Sequence, residues 1–312
     1  MKINSVNGPV DSNDLGFTLM HEHISVSSAG IPHSFYELMD RDRVVTNAIE
    51  CLSVAREEGV NSYVDVTTLD LGRDMEILRR VGESVDVNII VATGIWLDIP
   101  RSILRVTPDQ LAKVFIREIE QGIDSTSVKA GIIKVATSDE GVTEANEIVL
   151  RAAARASKDT GVPISTHTAA LSKVGNDQEA IFEEEGVDLS KVNIGHSYDT
   201  DDLEYLSGLA SKGCILGMDH LPGGRGGGLD WKQRADVIVE LVRRGFQDSI
   251  GLSHDYSLSY PLRKDLEDER NDYNPDKICF ISRKFIPYLI EMGLEQSQVD
   301  ALNVNVAARY FG

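Results

Sequence analysis

Short apolar runs alternate with longer amphipathic stretches along almost the whole chain. The runs are rich in β-branched residues and have the length of strands, whereas the stretches between them show the 3–4 spacing of apolar positions that predicts helices. The predicted strands span residues 16–24, 62–68, 88–94, 130–137, 163–168, 191–197, 214–219 and 249–255. The predicted helices span residues 42–58, 73–83, 108–122, 143–160, 177–186, 201–212, 230–245 and 275–292.

Apolar strands that alternate with helices indicate a parallel sheet that is buried on both faces. Repeated β/α units in 312 residues favour a closed (β/α)8 TIM barrel, with an open doubly wound sheet as the alternative. No Pro-, Gly- or Ser-rich tract divides the chain, so residues 1–312 are predicted to form a single domain. Polar, turn-rich residues 1–15 predict a short N-terminal hairpin or lid, and residues 295–312 predict a short closing helix and tail.

The composition narrows the possible partners. Fifty acidic against 31 basic residues, a net charge of −19, argue against nucleic acid or an anionic membrane. We find no apolar run long enough for a membrane span and no apolar signal core, so we expect a cytoplasmic protein. Three cysteines, far apart in sequence, predict reduced thiols rather than a disulfide framework: Cys51, Cys214 and Cys279.

Polar residues stand where several predicted strands end. His21 and His23 are two residues apart, so in a strand their side chains would share a face. Because the active sites of TIM barrels lie at the carboxyl ends of the strands, six side chains are predicted to meet at one rim: His21, His23, Lys134, His167, His196 and Asp255. Each has a structural alternative, such as a core histidine, a snorkelling lysine or a helix-capping aspartate. One metal site explains all six.

The donor set indicates the chemistry. Four imidazoles and one carboxylate exceed the needs of one open tetrahedral site, so two divalent metal ions are predicted, with zinc expected and cobalt, manganese or iron as alternatives. Burial should lower the pKa of Lys134, and its free amine could take up carbon dioxide to form a carbamate, N6-carboxylysine, that bridges both ions. Two such ions would hold a bridging hydroxide at neutral pH, and Asp255 would bind one ion and accept the hydroxide's proton.

The sequence resembles the phosphotriesterase family of the amidohydrolase superfamily, including its phosphotriesterase-like lactonases. The matching segments cover nearly the whole chain: GFTLMHEHI at 16–24, VDVTTLDLGRD at 64–74, VATGIW at 91–96, AGIIKVAT at 130–137, GVPISTHTAA at 161–170, IGHSYDTDDLEYL at 194–206 and GMDHLP at 217–222. The resemblance implies that the more buried metal is bound by His21, His23 and Asp255. It implies that His167 and His196 bind the more exposed metal and that Lys134 bridges the two.

The resemblance also implies roles for residues around the metals. His220 and Asp199 match a relay that draws the proton away from Asp255, while Trp96 and Leu71 match residues of the substrate pocket. It further implies a homodimer. Tyr256 begins the segment 256–274, which is predicted to shape the leaving-group side because loops after barrel strands usually determine substrate choice.

Two details favour different substrates. The segment 221–228 is short, as in the family's lactonases, whereas Trp96 and His220 resemble the organophosphate triesterases, since lactonases usually have Tyr and Arg there. We therefore expect a hydrolase of lactones with promiscuous activity on organophosphate triesters. A dedicated triesterase, an enzyme acting on amides or amidines, and a non-catalytic metal-binding barrel are the alternatives. The glycine run 223–228 matches neither nucleotide-binding motif and predicts a flexible lid, and His254 is expected to be structural.

Overall fold

The structure, a computed structural model, describes residues 1–224 and 228–312. Its strands are β1 (Lys2–Ile3), β2 (Val10–Asp11), β3 (Phe17–Ser25), β4 (Val60–Asp65), β5 (Asn88–Ile95), β6 (Ile132–Thr137), β7 (Ile164–Thr168), β8 (Val192–Ile194), β9 (Ile215–Met218), β10 (Ile250–Leu252) and β11 (Ser257–Ser259). Its α-helices are α1 (Ile31–Ser34), α2 (Arg41–Glu57), α3 (Met75–Gly82), α4 (Pro108–Glu120), α5 (Glu144–Thr160), α6 (Gly175–Glu184), α7 (Leu203–Ser211), α8 (Trp231–Arg243), α9 (Lys264–Tyr273), α10 (Ile286–Glu291), α11 (Gln296–Asp300) and α12 (Val306–Phe311).

The parallel strands form one sheet in the order β10-β9-β8-β7-β6-β5-β4-β3-β11. The eighth barrel strand is split, because β10 pairs only with β9 and β11 only with β3. Across the break, Asp255 N donates to His21 O at 3.0 Å and His23 N donates to Tyr256 O at 3.1 Å. These bonds join the two edges of the sheet, which confirms the predicted (β/α)8 TIM barrel. The continuous strand predicted at 249–255 is wrong, since it ends at Leu252.

Two apolar layers hold the barrel together. The larger lies between the strands and the surrounding helices, and the smaller fills the barrel interior with Met20, Val64, Ile90, Ile132 and Ile215. Parallel strands need both layers because both of their faces are buried.

The C-terminal residues close the amino end of the barrel. Residues 296–311 are helical throughout, so the predicted tail is wrong. Tyr310 and Phe311 of α12 pack into the inner layer, and the Tyr310 hydroxyl donates to Ile164 O, at the start of β7, at 2.6 Å. Burial of one such aromatic side chain stabilises the fold by about 2–3 kcal/mol.

Capping residues mark the ends of two helices. Thr107 caps α4 with Gln110 in a reciprocal capping box, and α5 ends at Gly161 with φ 76°. The predicted N-terminal hairpin is the antiparallel pair β1–β2. The segment 256–274, predicted as a loop, instead contains α9, whose sequence KDLEDERNDY has no apolar stripe for a pattern to detect. In the described part of the chain, none of the helices combines the length and apolar composition that a membrane crossing requires.

Candidate metal and catalytic site

The six predicted rim residues meet at the carboxyl end of the barrel. Lys134 Nζ lies 2.9 Å from His21 Nε2, and His23 Nε2 lies 3.1 Å from Asp255 Oδ1. His196 Nε2 lies 2.7 Å from His167 Nδ1, and the ring centroids of His196 and His21 are 5.0 Å apart, so these two imidazoles lie beside the first group. The spacing argument from the sequence thus predicted this cluster, although the strands carrying it are separated by more than 200 residues along the chain.

A buried carboxylate, Asp219, orients two of the histidines. Its Oδ2 lies 2.9 Å from His21 Nδ1, and its Oδ1 lies 2.6 Å from His196 Nδ1. Burial would raise the pKa of Asp219, but His196 and His21 outweigh it and hold that pKa well below its ordinary value. Asp219 therefore stays ionised, and each imidazole turns its Nε2 away from it towards the site. This is the arrangement by which carboxylates fix the tautomer and orientation of ligating histidines.

His220 connects Asp255 to a second carboxylate. His220 Nε2 lies 3.0 Å from Asp255 Oδ2, and its Nδ1 lies 2.9 Å from Asp199 Oδ2. Arg234 Nη2 donates to Asp199 Oδ1 at 3.0 Å. Burial opposes protonation of His220, but its hydrogen bonds to Asp199 and Asp255 raise its pKa to about 10. The imidazole also stacks on His196, with ring centroids 4.0 Å apart. The predicted relay therefore has continuous hydrogen-bond geometry.

Burial makes Lys134 easier to deprotonate than an exposed lysine. The side chain is 1% exposed, and burial lowers its pKa to about 8 against the opposing attraction of Asp255 and Asp219. Burial, with the charge of Lys134 adding to it, lowers the pKa of His21 to about 3. The neighbouring strand β5 needs a residue without a side chain opposite Lys134. A Cβ on Gly94, at φ 118°, would lie 1.9 Å from the Lys134 carbonyl oxygen. Only glycine permits that approach.

Glu22, between the two histidines of β3, holds the break in the eighth strand. Its side chain is completely buried and accepts hydrogen bonds from Ser253 Oγ, His254 N and Tyr256 N at 2.7–2.9 Å. It also bonds His254 Nδ1 at 2.7 Å, while His254 Nε2 accepts from Ile281 N at 3.3 Å. Both chain neighbours of Asp255 are therefore anchored to one carboxylate.

Three residues of the site have left-handed backbones: His196 with φ 55°, His220 with φ 63° and Asp255 with φ 50°. Each lies two or three residues beyond the end of a barrel strand. Non-glycine residues in this region are strained, and surrounding bonds must hold them there. Asp219 accepts from His196 N at 3.0 Å, and the His21 carbonyl binds Asp255 N, so two of the three strained residues are fixed through backbone hydrogen bonds.

The donor set fits divalent metal ions. Three overlapping groups of imidazole and carboxylate atoms lie within 4.8 Å of one another: His21, His23 and Asp255; His21, His196 and Asp219; and His196, His220 and Asp255. Imidazole nitrogen and carboxylate oxygen are the donors that zinc and its neighbours in the first transition row prefer.

The predicted pocket residues have different surroundings. Trp96 meets the edge of His167 at 5.6 Å, and Asp70 fixes it by accepting from Trp96 N at 2.9 Å. Tyr256 lines a cavity of about 530 Å³ beside Asp255, whereas Leu71 lies in the β4–α3 connection outside that lining. The substrate contacts of Trp96, Leu71 and Tyr256 stay predictions. Part of the glycine run predicted as a lid, residues 225–227, lies outside the described residues.

Sequence reasoning missed Asp219 and Glu22. Asp219 ends a run of apolar residues, and a charge at the end of a buried strand was a usable signal. Glu22 is a charged residue inside an apolar strand. Its signal was overlooked because the two histidines beside it, His21 and His23, already explained a polar stretch there as a metal site.

A profile of the phosphotriesterase family matches residues 1–311. A phosphotriesterase homology protein of Mycobacterium tuberculosis is 41% identical over 268 residues, covering 81% of this chain and 80% of its own. An aryldialkylphosphatase of Saccharolobus solfataricus is 34% identical, with 97% and 96% covered. An N-acetyltaurine hydrolase of Xenopus tropicalis is 27% identical, with 96% and 95% covered.

Proposed function

Because the chain belongs to the phosphotriesterase family, we propose that it is a metal-dependent hydrolase of lactones that also hydrolyses organophosphate triesters. The observation that carries the proposal is the convergence of His21, His23, Lys134, His167, His196 and Asp255 at one rim of the barrel. This arrangement, with a proton acceptor in contact with a histidine relay, suits the activation of water against an ester.

The proposed metal ligands divide into two groups. His21, His23 and Asp255 would hold one ion and His167 and His196 the other, with Lys134, as its carbamate, between them. When bound, divalent ions supply Lewis acidity that activates water and polarises a carbonyl or phosphoryl oxygen.

Asp255, His220 and Asp199 provide the proposed path for the proton. Asp255 would accept the proton of the attacking water and pass it from Oδ2 to His220 Nε2, 3.0 Å away. That transfer requires a neutral His220, and the positive charge of ions bound beside Asp255 would lower the pKa of about 10 that His220 has without them. Asp199, held by Arg234, stabilises the imidazolium through Nδ1. A base within 2.6–3.2 Å of its partner meets the geometric requirement for such a transfer.

A dedicated organophosphate triesterase is the second candidate. The aryldialkylphosphatase of Saccharolobus solfataricus, similar over nearly the whole chain, supports it, as do Trp96 and His220. The N-acetyltaurine hydrolases among the relatives add amides to the substrates worth testing.

The test compares kcat/KM for acyl-homoserine lactones, other γ- and δ-lactones, N-acyl amides and paraoxon-like triesters. Chelation should abolish all activity, and zinc, cobalt or manganese should restore it. Lys134→Ala should be inactive and regain part of its rate with added propionate, whereas Lys113→Ala, an exposed lysine on α4, should match the wild type. Full lactone hydrolysis by metal-free protein would refute the proposal. We also propose a cytoplasmic homodimer, which size-exclusion chromatography and cell fractionation would check.

A further inference from the structure

The cavity beside Asp255 is large enough for part of a small substrate. Its volume is about 530 Å³, and its lining includes Gly223, Gly224 and Gly228, which follow β9, and residues of helix α9. His220 and Asp255 form its inner wall. A group bound there would thus lie beside the proposed proton acceptor.

Arg270 of α9 lines this cavity. Its Nη1 donates to the Tyr260 hydroxyl and its Nη2 to the Asp255 carbonyl oxygen, both at 2.7 Å. The guanidinium lies 5.2 Å from the ring centroid of Tyr256. Within the described residues Arg270 forms no ion pair, although the protein has 50 acidic side chains and pairs most of its arginines. These hydrogen bonds fix the guanidinium in position, and no acidic side chain among the described residues neutralises its charge.

Arg234 adds a second guanidinium to the lining. Its side chain is 4% exposed; Nε donates to Leu229 O at 2.8 Å and Nη2 donates to Asp199. Nη1 has no acceptor in the part of the chain that the structure describes. A buried donor without a partner is unfavourable, and a ligand oxygen would satisfy it.

The carboxylates of the cavity do not neutralise this charge. Asp255 is bonded to His220 and His23, and Asp199 is bonded to His220 and Arg234. Both acids are therefore occupied by other partners, while Arg270 keeps free N–H groups. Guanidinium groups bind carboxylates in a planar, two-bonded geometry that excludes neutral groups of similar shape.

We propose that this cavity binds a carboxylate on the substrate, so that the preferred ester, lactone or amide is an anion. The inference rests on the proposed hydrolase function, since it assigns the charge of that enzyme's substrate. Arg270 is the principal contact and Arg234 a supporting one. A neutral substrate of equal size leaves Arg270 without an ion-pair partner and Arg234 Nη1 without an acceptor, and it binds less well.

Two aryl acetates of similar size measure the preference: 4-acetoxybenzoate, an anion, and 4-acetoxybenzamide, which is neutral. With the metal-loaded wild type, kcat/KM should favour the anion at least tenfold, the range of one charge-assisted hydrogen bond. Arg270→Gln should reduce this ratio about tenfold or more, and Arg270→Lys should keep part of it. Arg263→Gln, an exposed arginine next to α9, is the matched control and should leave the ratio unchanged.

Binding of the products separates this inference from the function itself. By titration calorimetry, 4-hydroxybenzoate should bind the wild type more tightly than 4-hydroxybenzamide, and Arg270→Gln should abolish the difference. If neither acetate is hydrolysed but this binding difference is found, the hydrolase proposal fails and the carboxylate site stands. If both acetates are hydrolysed equally and the two products bind equally, the hydrolase stands and the carboxylate site is refuted.

Discussion

Replacing Glu22 by glutamine should destabilise the fold, because four donors converge on this buried carboxylate. Ser253 Oγ, His254 N and His254 Nδ1 bond to Oε1, and Tyr256 N bonds to Oε2. The glutamine amide has one acceptor oxygen, so its NH₂ group would face one of these donors. Losing one charge-assisted bond and leaving one N–H unpaired costs about 2–4 kcal/mol. Glutamine avoids the desolvation penalty of a buried carboxylate, and this gain offsets part of that cost.

The assay is urea denaturation of the wild type and Glu22→Gln, followed by tryptophan fluorescence. Glu57→Gln, an exposed glutamate at the end of α2, is the matched control and should change the free energy of unfolding by less than about 0.5 kcal/mol. Because Glu22 anchors both neighbours of Asp255, the variant should also lose activity at temperatures where it is still folded. A Glu22→Gln protein within about 1 kcal/mol of the wild type would refute the reasoning.

Three further changes have defined outcomes. Asp219→Asn should lower kcat at least about tenfold and reduce bound metal, measured by elemental analysis, because the amide would turn an NH₂ group instead of a carboxylate oxygen towards one of the two imidazoles. The Arg155 guanidinium lowers the pKa of Glu185 from 4.5 to about 2. Because this pKa is depressed by folding, the stability it contributes is complete above pH 4.5 and falls away towards pH 2. The deficit of Glu185→Gln in unfolding free energy at pH 7 should therefore shrink as the pH falls through that range; a constant deficit would contradict it. Gly94→Ala should prevent soluble expression, because its Cβ would overlap the neighbouring strand, whereas Gly208→Ala in α7, where a Cβ meets nothing within 4 Å, should be neutral or slightly stabilising in thermal melts.

Local rules predicted the parts of the fold that local forces determine. Apolar periodicity predicted the alternation of strands and helices, and the helix ends at Thr107 and Gly161 have residue types that commonly cap helices. The convergence of the rim residues followed from topology alone, since parallel barrel strands all end at one face.

The remaining features depend on contacts between distant segments. The split of the eighth strand is set by Glu22, which is more than 230 residues away, so the run 249–255 has no local sign of it. Helix α9 forms against the barrel rim without an apolar stripe, and Asp219 acquires its role only when the barrel brings two histidines to it. Single-sequence patterns do not contain such pairings.

The closure of the barrel through residues 21–23 and 253–257 also constrains when the site can form. During synthesis, β3 leaves the ribosome long before Asp255 is made, because Asp255 lies 232 residues after His23. His21 and His23 therefore remain without this carboxylate until most of the chain has been synthesised. A nascent chain that has completed seven of its β/α units has an open sheet edge and an incomplete donor set. If these residues bind metal as proposed, metal capture would be a late event, and a bound ion would report that the final strand has joined the first.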